Sequence, residues 1–67
     1  MNRTVTVKFL NSDKLLQRSG SDVVDNENLA KQLNVTFMPS EFLNLGAIVV
    51  RRSEVEWITI NETPVIL

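Results

Sequence analysis

Three carboxylates, Asp22, Asp25 and Glu27, lie close together ahead of an apolar-periodic segment, and a hard cation is the chemistry such a cluster could serve. A calcium loop, however, also needs a glycine at its sharp turn and a distal glutamate, and this cluster has neither. Helix capping accounts for Asp25 and Glu27 without any ion. Histidine, cysteine and tyrosine are absent, so acid–base or nucleophilic work would fall to carboxylates, lysines and unassisted serines. No pair of carboxylates carries burial cues, and no serine has a candidate base beside it. Two glycines cannot supply a phosphate-cradling loop. The residues predict no catalytic centre, no metal and no cofactor.

What the chain does carry is contact chemistry. Phe37, Met38, Pro39 and Phe42 fall in one short segment, and methionine and aromatic side chains favour adaptable contact surfaces. Trp57, in reach of Arg51 and Arg52, is a candidate anchor, because tryptophan and arginine dominate interface hot spots. Val65, Ile66 and Leu67 form an apolar tail. The expected protein-interface residues are Phe37, Met38, Phe42, Arg51, Trp57, Val65, Ile66 and Leu67. For Phe42 and Trp57 a plain core role is the stronger reading from sequence alone, with the interface role beside it.

A second reading starts from Ala30-Lys31-Gln32-Leu33-Asn34-Val35-Thr36. This run resembles the centre of a helix-turn-helix, with Ala30 packing on a second helix, Asn34 making the tight turn and Val35 buried. The order strand, helices, hairpin also resembles small phage repressors of the Cro type, and the resemblance implies a DNA-binding regulator. The supposed recognition helix, 37–45, departs from that pattern. It has Pro39 near its start, Ser40 where an apolar residue belongs, and Glu41 but no lysine or arginine to meet bases or phosphates.

Composition weighs the same way. Seven basic against eight acidic residues give a net charge of −1, whereas nucleic-acid binders draw much of their affinity from a positive excess. Nucleic acid is therefore not an expected partner. The longest apolar stretch, Ala47–Val50, is too short to span a bilayer, and the first residues alternate rather than forming a signal-peptide core, so membrane insertion is not expected and the cytoplasm is the expected compartment. Asn-x-Thr sequons at Asn2, Asn34 and Asn61 are then chance matches. Sixty-seven residues, 43% of them hydrophobic, suit one small globular domain over 1–67. Such a domain buries a modest share of its surface and often leans on disulfides, metals or association. Without cysteine or histidine, association is the helper that remains.

The elements follow from periodicity. Thr4–Leu10 alternates, with Val5, Val7 and Phe9 on one side, as a half-buried strand does. Asn11-Ser12-Asp13 is turn chemistry, and Lys14–Arg18 reads as a second strand or a short helical turn. A helix starts near Asn26, with Asp25 as N-cap, Val24 and Leu29 as a hydrophobic staple, Glu27 paired with Lys31, and Asn34 as a left-handed C-cap. Residues 39–45 read as a second short helix or 3₁₀ turn ending at Gly46. Ala47–Arg52 and Val55–Ile60 read as a hairpin about Ser53-Glu54, setting Arg51 against Glu56 and Val50 against Trp57.

That hairpin would be apolar on both faces: Ile48, Val50, Val55 and Trp57 on one, Ala47, Val49, Ile58 and Ile60 on the other. Strands of this kind need cover on both sides. One helix and a turn cover one face, so a homodimer through the sheet or the tail is expected, with a self-contained barrel-like fold closed by Thr4–Leu10 as the alternative. The fold class expected is α+β, a small sheet built on a C-terminal β-hairpin plus an N-terminal strand, with one short helix and a second helical turn on one face. The expected function is a non-enzymatic protein-interaction, adaptor or inhibitor-type regulatory module that binds itself and another protein. The Cro-like regulator and a structural subunit of a larger assembly, such as a virion, are the alternatives.

Overall fold

A computed structural model describes residues 2–34 and 41–65 of the chain. The class is α+β, as expected: the described residues form one α-helix, one 3₁₀ turn, a four-stranded antiparallel sheet and a two-stranded one. In chain order these are β1 (Arg3–Phe9), β2 (Leu15–Gly20), α1 (Asn26–Leu33), β3 (Phe42–Asn44), β4 (Val49–Arg51), the 3₁₀ turn Arg52–Glu54, β5 (Val55–Ile60) and β6 (Thr63–Val65). The larger sheet runs β2-β1-β5-β6, and β3 pairs with β4 alone.

The alternation of β1 does what its spacing predicts. Val5 and Val7 are buried, while Thr4, Thr6 and Lys8 face outward. Asn11 adopts φ 63° in the turn that follows, a conformation asparagine tolerates. The segment that read as strand or helix is a strand, β2, with Val5 opposite Arg18 and Val7 opposite Leu16.

Helix α1 is capped as read. The Asp25 carboxylate accepts from the Asn28 amide at 2.7 Å, and Lys31 pairs with Glu27 at 3.5 Å. Leu29 is buried, and Val24 packs against the core beside it. The C-cap differs: Asn34 has φ −90° rather than a left-handed conformation, and its amide bonds the Ala30 carbonyl at 3.0 Å. Arg52 lies against this helix end, with Nη2 donating to the Leu33 carbonyl at 3.4 Å, a placement the negative helix C-terminus favours. Gln32 reaches sideways instead. Its amide accepts from the Asn44 N–H at 2.9 Å and donates to the Asn44 carbonyl at 2.7 Å, as a neighbouring strand would.

The hairpin expected over 47–60 does not form. Its two halves lie in different sheets: Val50 pairs with Leu43 in β3, while β5 pairs with β1 and β6. Ser53 and Glu54 sit in the 3₁₀ turn that carries the chain between the sheets. Arg51 lies opposite Phe42, and Glu56 forms its ion pair with Lys8. The second helical element is thus at 52–54. Within 39–45, Phe42–Asn44 is strand, and Pro39 and Ser40 lie outside the described residues.

Two other hairpins take its place. In β3–β4 the Leu45 amide bonds the Ile48 carbonyl at 2.9 Å, closing a turn on Gly46 and Ala47. In β5–β6, Ile60 faces Thr63 across Asn61 and Glu62, which have φ 50° and 66°. Two positive-φ residues in a two-residue loop make a type I′ turn, and the second position prefers glycine. Glu62→Gly is therefore expected to stabilise the fold by about 0.5–1 kcal/mol, after the flexibility added to the unfolded chain is subtracted. Thermal denaturation followed by circular dichroism should show the midpoint rising by roughly 3–6 °C.

The apolar pattern of β5 also breaks phase. Lys8 pairs with Trp57 but Phe9 pairs with Val55, so Glu56 is the extra residue of a β-bulge. Val55, Ile58 and Ile60 all become buried, and Trp57 and Thr59 turn to the opposite side. One cluster unites them with Val5, Val7, Val23, Leu29, Leu43, Leu45 and Val50. The two-faced ribbon that argued for a second copy is therefore not formed, and most of its apolar residues are covered by the chain itself.

Candidate interaction surface

Since the core lies between the sheets and the helix, the described residues offer chemistry on the outward faces and the strand edges. The outward face of β3–β4 carries Phe42, Asn44, Val49 and Arg51, because Leu43 and Val50 take the inward positions. Phe42 is 46% and Val49 62% exposed. The two are diagonal neighbours across the hairpin, close enough for an aromatic ring to touch a valine. The Arg51 guanidinium stands 5.4 Å from the Phe42 ring centroid. It also reaches Glu41 at 3.4 Å. The result is an apolar pair with a stacked cation on top and one carboxylate at its rim.

The outward face of the larger sheet is different in kind. One lateral row sets Leu15, Lys8 and Trp57 side by side on β2, β1 and β5. Trp57 is half-buried there, at the register position opposite Lys8. The rows beyond it are polar. They form an open concavity of about 460 Å³ lined by Thr4, Thr6, Gln17, Ser19, Asn61 and Glu62. Its polar groups already serve one another: Thr4 and Ser19 hydroxyls lie 2.8 Å apart, and Gln17 Nε2 donates to Thr6 Oγ1 at 3.1 Å. A sheet face so satisfied is a solvated face, the usual condition of one side of an antiparallel sheet.

Of the residues expected at an interface, Phe42 and Arg51 are brought together. Trp57 stands apart from them on the other sheet. Val65 is half-buried in β6 and packs on the core. Phe37, Met38, Ile66 and Leu67 lie outside the described residues. Arg51, expected opposite Glu56, instead serves Glu41, and Arg52 serves the helix end. Among the described residues no three acidic side chains converge on a common point, and no helix is long and apolar enough to cross a membrane.

The sequence reading missed Val49 as a surface residue, because the expected hairpin buried it. It also missed the edge of β2. The signal was available: turn chemistry at 11–13 followed by a strand-length segment after an alternating strand implies an antiparallel return. Comparison with family models, with curated proteins and with solved structures finds no match in any of the three.

Proposed function

We propose that this chain is a non-enzymatic, self-associating protein-binding module, working in the cytoplasm and regulating another protein by occupying it. The observation that carries the reading is the exposed Phe42–Val49 pair with Arg51 stacked upon the ring. A pre-stacked aromatic–arginine pair gives contact area and charge at little ordering cost, the combination found at interface hot spots. A Cro-like DNA reader draws no comparable support. It needs a helix over 37–45, and Phe42–Asn44 is strand.

The test is affinity capture from extracts of the native host, comparing the wild-type chain with the double variant Phe42→Ser, Val49→Ser. Both positions are exposed, so the fold should survive, and circular dichroism verifies that. Partners retained by the wild type should fall by on the order of 30-fold with the variant, as expected for losing about 2 kcal/mol of hot-spot energy. Equal recovery by both chains would exclude this face as the recognition surface.

A further inference from the structure

The hydrogen-bond geometry of β1 determines which groups of β2 are left over. Thr4 gives its N–H to Asn61 Oδ1 at 3.0 Å, and its carbonyl accepts from the Asn61 amide at 2.9 Å. Thr4, Thr6 and Lys8 therefore turn their backbone groups toward β5, and Arg3, Val5 and Val7 turn theirs toward β2. Their partners Gly20, Arg18 and Leu16 are satisfied by that ladder. Leu15, Gln17 and Ser19 then aim their N–H and C=O groups away from the sheet.

The opposite edge is closed by the same parity. Ile58 and Ile60 bond Val65 and Thr63, so Pro64 is the β6 residue facing outward. Proline has no N–H to offer there, and it is one of the standard guards of a sheet edge. The sheet can thus grow from β2 but not from β6.

We infer that the β2 edge takes a second copy of this chain, antiparallel, with a two-fold axis between Gln17 and its counterpart. This rests on the self-association part of the reading above and assigns it a surface. In that register Leu15 faces Ser19 of the second copy, Gln17 faces Gln17, and the outward N–H and C=O groups of the edge find partners, the Gln17 carbonyl beside or in place of its bond from Arg18. Lys14 falls opposite Gly20 of the second copy and on the same face. The Asp22 carboxylate occupies that spot, its Oδ1 only 2.5 Å from where a Cβ on Gly20 would stand. The two-fold axis therefore makes a Lys14–Asp22 ion pair twice. Leu15, 55% exposed in the single chain, gains a neighbour.

Such pairing is isologous and consumes the edge it uses, and Pro64 blocks the other. It gives a closed dimer rather than a filament. Arg18 opposes it: its guanidinium donates to the outward Gln17 carbonyl at 2.8 Å, and in the dimer it becomes a diagonal neighbour of its own counterpart. A single edge pairing is also small as interfaces go, so the dimer is weak and concentration-dependent.

The experiment is sedimentation equilibrium of the full chain from micromolar to millimolar concentration, with Gln17→Pro as the variant. The Gln17 N–H points away from the β1–β2 ladder, so proline there leaves that ladder intact while removing two intermolecular bonds and obstructing the edge. Dissociation should become weaker-binding by on the order of 100-fold or more. Arg18→Gln should tighten the dimer. Amide hydrogen exchange supplies a readout that needs no variant: Leu15, Gln17 and Ser19 amides should gain protection as concentration rises, while Leu16 and Arg18 stay protected throughout. A chain monomeric at every concentration would overturn the inference and leave the edge to a strand of another protein. A dimer that survives Gln17→Pro but is lost in Phe42→Ser, Val49→Ser would overturn it too, moving self-association to β3–β4 while preserving the functional reading. Species that keep growing beyond a dimer would refute the closed geometry.

Discussion

Gly46→Ala is expected to leave the chain largely unfolded. Gly46 has φ +89° in the β3–β4 turn, a conformation that costs an L-residue on the order of 1–2 kcal/mol. Space is the heavier objection. A Cβ built there would lie 1.7 Å from the Asp22 carbonyl oxygen and 2.7 Å from its carbon, and both are backbone atoms that no rotamer change can move. The contact is also structural, because the Val24 amide donates to the Leu45 carbonyl at 3.1 Å just beside it. Relieving the clash means undocking the β3–β4 turn from the segment leading into α1. The combined cost is about 3 kcal/mol or more. A domain of this size rarely holds more than about 3–5 kcal/mol in total. Loss of the cooperative thermal transition in circular dichroism would show it. A variant melting within a few degrees of wild type would mean that the turn is not docked as described. Gly20→Ala is the control: its nearest obstacle, the Asp22 carboxylate, belongs to a side chain that can swing aside.

Leu29→Ala is expected to cost about 3 kcal/mol, within the range for a large buried aliphatic truncated to alanine. Leu29 is 0% exposed and is the one residue of α1 that is fully buried. An eight-residue helix is far below the length that persists alone, so its helicity depends on this anchor. The variant should therefore lose helical signal and stability together, in urea denaturation followed at 222 nm. Lys31→Ala, which breaks only an exposed i,i+4 pair, should stay within about 0.5 kcal/mol of wild type. If the two variants proved equally mild, the helix would not be held through Leu29.

Local features were determined by the sequence itself. The strand Arg3–Phe9 follows from strict alternation, and the start of α1 from Asp25, Val24 and Leu29, because each depends on residues a few positions apart. The bends at Asn11 and Asn61 follow from residue types that accept positive φ. Of the surface proposed for function, Phe42 and Arg51 were visible as contact-type residues, but their meeting was not. Their encounter required β4 to choose β3 over β5, and that choice belongs to the tertiary structure. Val49–Arg51 is apolar enough to pair with either neighbour, and pairwise side-chain logic favoured β5. The deciding conditions are turn geometry and shared burial. Gly46 can take the dihedral of a tight hairpin turn, whereas Ser53-Glu54 offers neither glycine nor asparagine and winds into a 3₁₀ turn instead. Ile58 and Ile60 gain more by lying beside Val5 and Val7 than by facing β4, and only a bulge at Glu56 lets Val55 join them. Such a bulge, like the free edge of β2, is settled by which distant strand arrives alongside, and no local periodicity encodes that arrival.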